Sequence, residues 1–133
     1  MLYEFNLTVP ANTPATVPAS VEASLAPGKV VQAGVLFPTG CVGLVRAYVT
    51  RSSHQVWPSN PDEQLRGNGQ AVVWPEDYDL DDAPFGFVCY AYNLDDTYPH
   101  TLTFSFAVID AAKAEAAQQA ASFLGRLRQL IGV

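Results

Sequence analysis

His100-Thr101-Leu102-Thr103-Phe104-Ser105-Phe106-Ala107-Val108-Ile109 alternates along its whole length. Leu102, Phe104, Phe106 and Val108 fall on one side, and Thr101, Thr103 and Ser105 on the other. Successive side chains of an extended chain point to opposite faces, so a period of two marks a half-buried β-strand.

The same period recurs towards the N-terminus. Phe85–Tyr92 is strongly β-prone, and Ala71–Trp74 and Gln55–Trp57 are short strand-like runs. Cys41–Thr50 is nearly continuous in apolar and β-branched residues, broken by Arg46, which suits an interior strand covered on both faces. Val30–Phe37 is closed by Pro38-Thr39-Gly40, and Val17–Leu25 alternates up to the Pro27-Gly28 turn signal. Tyr3, Phe5, Leu7 and Val9 share one face of the first strand, which the Pro/Thr-rich loop 10–18 ends. That makes about eight strands with turns every eight to twelve residues. The expected fold is an all-β antiparallel sandwich or jelly-roll-like barrel.

After Ile109 the pattern changes to Ala, Gln, Glu, Lys, Arg and Leu without proline. Asp110 is a suitable N-cap, and Arg126 and Arg128 complement the negative end of a helix. The spacing predicts a C-terminal amphipathic helix from about Ala111 to about Leu130, roughly 30 Å long. The β domain is thus assigned to residues 1–109 and the helix to 110–133. Ala117, Ala120, Ala121, Leu124, Leu127 and Ile131 form an apolar stripe, widened by Phe123 and Leu130. The stripe packs either on the chain's own sheet or on another chain; because a sandwich covers its own inner faces, the expectation adopted is a subunit contact with Leu124, Leu127 and Ile131 as anchors.

The chain has 133 residues, room for one domain, with 49% hydrophobic and 15% charged residues. Net charge is −6, and Lys29 and Lys113 are the only lysines. A basic face for nucleic acid is lacking, and an anionic membrane surface would repel the chain. No run of 18 apolar residues occurs, and Met1–Phe5 lacks a basic, apolar leader pattern. Synthesis in a cytoplasm is expected.

Groups that could carry chemistry are sparse. His54 and His100 are the only histidines, and neither lies beside a nucleophile motif. Cys89 with His100 is the pair that neighbouring strands could bring together, but nothing in the sequence activates a thiol there. Cys41 and Cys89 read as buried free thiols, with a bridge left open for an extracellular particle. Cys41, His54, Cys89 and His100 are too scattered for a structural zinc site. Neither an enzymatic activity nor a cofactor is therefore expected.

Two features suggest a ligand. Glu76–Pro84 reads as an acidic loop and Asn93–Asp96 as an acidic turn. If both lay at one end of a sandwich, Asp79, Asp81, Asp82, Asp95 and Asp96 would be weak calcium ligands. Trp57, Trp74, Tyr78 and Tyr98, with Tyr90 and Tyr92, could line a sugar-stacking face; the competing reading puts the tryptophans in the core. A carbohydrate-binding module, calcium-assisted or not, is the alternative function.

Three stretches carry a resemblance: Phe37-Pro38-Thr39-Gly40-Cys41-Val42-Gly43-Leu44-Val45, His54-Gln55-Val56-Trp57-Pro58-Ser59-Asn60, and Asp95-Asp96-Thr97-Tyr98-Pro99-His100-Thr101. Over roughly Leu2 to Val108 the chain resembles small β-sandwich structural proteins of tailed bacteriophages and prophages. The resemblance implies a virion component, such as a capsid decoration or head–tail connector protein. Its partners would be other virion subunits and copies of itself, and its location the virion. It transfers no catalytic motif.

Overall fold

The computed structural model describes residues 1–130. Eight strands precede one helix: β1 (Leu2–Val9), β2 (Ala19–Ser24), β3 (Gly28–Phe37), β4 (Val45–Arg51), β5 (His54–Trp57), β6 (Gln70–Leu80), β7 (Gly86–Asn93), β8 (His100–Asp110) and α1 (Ala111–Leu130). β1 pairs with β8, β2 with β7, β3 with β6 and β4 with β5, all antiparallel. This is the pairing of one long hairpin bent at the β4–β5 turn. Further pairing of β3 with β8 and of β4 with β7 rolls it into two four-stranded sheets, ordered β1-β8-β3-β6 and β2-β7-β4-β5. The all-β sandwich is therefore a jelly roll.

The inward positions of both sheets make the core. β8 contributes Leu102, Phe104, Phe106 and Val108, the residues its alternation singles out. Facing them from the second sheet are Val45, Ala47, Val49, Phe87, Cys89 and Ala91. Trp57 joins the two layers: its ring lies 4.9 Å from Phe87, 6.1 Å from Phe106 and 5.5 Å from Tyr78 between centroids. Tilted aromatic packing of this kind adds to the apolar burial itself.

Several boundaries differ from the sequence reading. β6 runs on through Leu80, where an acidic loop was expected. Val72, Trp74, Glu76, Tyr78 and Leu80 point inward, while Ala71, Val73, Pro75, Asp77 and Asp79 point outward. β6 is an edge strand, where a proline is tolerated. β4 starts at Val45 rather than Cys41, because Cys41–Leu44 forms a turn closed by Leu44 N donating to Cys41 O. Gly40, Val42 and Gly43 all have positive φ there, and Asn68 Oδ1 accepts from the amides of Gly40 and Val42. β4 is an interior strand, but only one of its faces is in the core; Arg46 and Tyr48 stand half-exposed on the other.

Register fixes what lies at each end of the sandwich. Val9 pairs with His100, Val45 with Asn93 and Phe37 with Gln70, so segments 10–18, 38–44, 58–69 and 94–99 gather at one end. The opposite end holds the chain start, the β2–β3, β4–β5 and β6–β7 connections, and the point where α1 begins. At that junction Gly28 pairs with both Leu80 and Asp110, and a Cβ there would run into the Ile109 carbonyl oxygen.

Candidate functional site

The loop end carries a buried polar cluster. Asn93, 1% exposed, donates through Nδ2 to the carbonyls of Val9 and Tyr98, and its Oδ1 accepts from Asp95 N. Asp95 Oδ1 accepts from the amides of Thr97 and Tyr98, while Oδ2 lies 2.9 Å from His100 Nε2. The His100 hydrogen bond, then that of Thr97, holds the Asp95 carboxyl below its usual range.

Cys41 lies buried close to this pair. Burial, then the Asp95 charge, pushes its thiol up. A thiol nucleophile needs the opposite shift, and the hydrogen bonds of Asn93, Asp95 and His100 hold the 94–99 loop. The pairing of Cys89 with His100 does not form. Cys89 sits in the core, four residues back along β7, and burial pushes its thiol up to about 12. Neither cysteine is in a disulfide. His54 is exposed at the other end of the sandwich, on the β4–β5 turn.

The two acidic segments are not neighbours. Asp81 and Asp82 precede β7 and Asp95 and Asp96 follow it, so an eight-residue strand of about 26 Å separates them. Asp79 pairs with Lys29, Asp82 with Arg51 and Asp95 with His100. Among the described residues no group of three or more His, Cys, Asp or Glu side chains is placed to hold a metal ion. The two-loop calcium site is thereby overturned.

The expected aromatic face also comes apart. Trp57 is 3% exposed, and Trp74 and Tyr78 are half-buried against it. Arg51 covers the Tyr78 ring at 5.7 Å. Tyr98 is 65% exposed, but it stands alone on the β7–β8 loop. The structure gathers different aromatics. Tyr48 pairs with Tyr90 across β4 and β7, with rings stacked at 5.2 Å, and Tyr92 pairs with Arg46 on the same outer face. Tyr92 Oη donates to Gln64 Oε1 at 3.1 Å. Tyr48 was missed by the sequence reading; its signal is that it falls out of phase with inward Ala47 and Val49.

The helix is where the sequence predicts it. Phe123, Leu124 and Leu127 are 59%, 56% and 39% exposed, and Ala120 and Ala121 are exposed beside them. Ile131 and the side chains of Ala117 and Leu130 lie outside the described residues. Among the described residues, every member of the hydrophobic core precedes Ile109. No helix among the described residues is long and apolar enough to cross a membrane. No protein-family model, curated protein or solved structure matches the chain.

Proposed function

We propose that this chain is a non-enzymatic structural subunit of a tailed-phage particle, a capsid decoration or head–tail component that assembles through its C-terminal helix. The observation that carries the assembly reading is the exposure of Phe123, Leu124 and Leu127 on a helix whose described side chains lie outside the jelly-roll core. A lone helix of this length is marginal in water and gains stability from a packing partner. Ala117, Ala120, Leu124, Leu127 and Ile131 follow an alternating spacing of three and four residues, the seam of helices packed on copies of themselves. Burying each Leu there contributes about 1.5–3 kcal/mol. The tyrosine and arginine face of the second sheet, Tyr48, Tyr90, Tyr92 and Arg46, has the composition that contact surfaces favour. The assignment to a phage particle rests on the resemblance of the three quoted stretches.

The test is the double variant Leu124→Asp/Leu127→Asp in the full chain. Charge at the seam must be desolvated without a partner, which opposes association strongly. The expected outcome is an unchanged urea midpoint with loss of self-association by native mass spectrometry. Association that survives both substitutions contradicts the helix reading.

A further inference from the structure

Four strands form the edges of the two sheets: β1 and β6 of the first, β2 and β5 of the second. An open edge presents unpaired N–H and C=O groups, and proteins blunt it with proline, charge, bulges or brevity. β5 has four residues and runs into Pro58. β6 carries Pro75, Asp77 and Asp79, and a bulge breaks its ladder with β3. β2 has six residues and follows Pro18. β1 runs eight residues, Leu2 to Val9, in unbroken register with β8; it lacks proline, and Glu4 is its one charge. We infer that β1 is a contact between copies, in which two jelly rolls join their first sheets edge to edge across a two-fold axis. The inference goes beyond the assembly reading and does not rest on it.

The hydrogen-bond pattern fixes which residues face the open edge. Met1 N donates to Val108 O at 2.6 Å, and Val108 N to Met1 O at 2.7 Å. In an antiparallel strand both backbone groups of a residue point to one side, and the side alternates along the chain. Tyr3, Phe5, Leu7 and Val9 therefore bond to β8, while Leu2, Glu4, Asn6 and Thr8 turn their N–H and C=O outward.

A second β1 laid antiparallel on this edge has one well-matched register. Setting Phe5 opposite its own copy pairs Leu2 with Thr8 and Glu4 with Asn6. A carboxylate then lies beside an amide, and no like charges meet. The two Phe5 residues form a non-hydrogen-bonded pair, where side chains come closest. Phe5 is only partly buried in one copy, beside Tyr3 and Phe106, so an aromatic pair across the axis covers it further. Slipping by two residues sets Glu4 against Glu4 in one direction. In the other it sets Leu2 against Pro10, which has no N–H. β2 fails the same test. Leu25 N bonds to Phe85 O in step with the β2–β7 ladder, so Ser20, Glu22 and Ser24 face outward, and pairing centred on them sets Glu22 against Glu22. This self-match of β1 names a second copy as the occupant.

The axis turns the two β8 strands, and the α1 starts that follow them, to opposite ends of the pair. Both helices stay free for their own contact. A single edge is smaller than the interfaces that hold stable dimers. The pairing alone therefore has a dissociation constant on the order of 1 mM, and it acts where copies are already held close together.

The experiment is disulfide trapping in the full chain at about 1 mM, with oxidised glutathione and intact-mass spectrometry. Residues directly opposite each other lie within bridging distance, and diagonal ones do not. Glu4→Cys mixed with Asn6→Cys, and Leu2→Cys mixed with Thr8→Cys, should give cross-linked heterodimers. Each of the four variants alone should give roughly tenfold less. Asn6→Pro removes an outward N–H that β8 does not use. Asn6→Glu sets carboxylates opposite each other and keeps an acceptor for Thr103 Oγ, so it serves if the proline disturbs the fold. Added to the Leu2→Cys and Thr8→Cys chains, each should lower the yield several-fold. Equal yields for matched mixtures and single variants, an absence of cross-links, or a yield that Asn6→Glu leaves unchanged would overturn the inference.

Discussion

The Trp57 indole Nε1 donates a 2.7 Å hydrogen bond to Glu76 Oε1, and this bond joins the edge strands of opposite sheets. Trp57 reaches inward from β5 and Glu76 inward from β6, so a charged group and the largest side chain of the core close the same side of the roll.

Removing the acceptor should therefore destabilise the fold more than loss of an exposed carboxylate would. Glu76→Ala strands a buried N–H and is expected to cost about 1–3 kcal/mol. Glu76→Gln, which restores an acceptor, should recover most of that. Urea unfolding followed by Trp fluorescence measures both; equal midpoints for Glu76→Ala and wild type would contradict this role.

Asp95 makes stability fall in acid. Its carboxyl is held below the usual range by His100 and Thr97, so folding favours the charged form. That contribution is complete above the unfolded carboxyl pKa of about 3.9 and is lost as pH falls through the lower folded value. Asp95→Asn should thus lower the melting temperature at pH 7, with the gap to wild type narrowing below about pH 4. A gap that is constant with pH would show that the carboxylate charge does not matter.

Burial raises both thiols, Cys89 to about 12. Since the thiolate is the reactive form, iodoacetamide at pH 8 should modify neither cysteine in the native protein and both in urea. Intact-mass spectrometry reads the result. Fast native labelling of Cys41 would contradict its burial.

How much of this was legible in sequence depends on how local the information is. β8 was readable because Leu102 to Val108 alternate without interruption, and the helix because its composition changes at Asp110. β6 was cut short since Pro75 and the acids from Glu76 to Asp79 look like a loop. Its true phase lies in Val72, Trp74, Tyr78 and Leu80, which an edge strand keeps despite the proline. The Cys41–Leu44 turn was hidden because Val42 is a β-branched residue at φ 51°, where such residues seldom sit. The calcium reading failed on topology: Asp82 and Asp95 are thirteen positions apart in sequence but flank opposite ends of β7. The meeting of Trp57 with Glu76, and of Tyr48 with Tyr90, depends on cross-strand register, which one-dimensional alternation does not encode.

The central claim is that α1 assembles copies of the chain and the jelly roll folds without it. Analytical ultracentrifugation of the full chain and of residues 1–110, each paired with urea unfolding, tests it most directly. The account predicts a concentration-dependent oligomer for the full chain, and a monomer with a cooperative transition for residues 1–110. A full chain that stays monomeric, or a truncated chain that loses its cooperative transition, would contradict it.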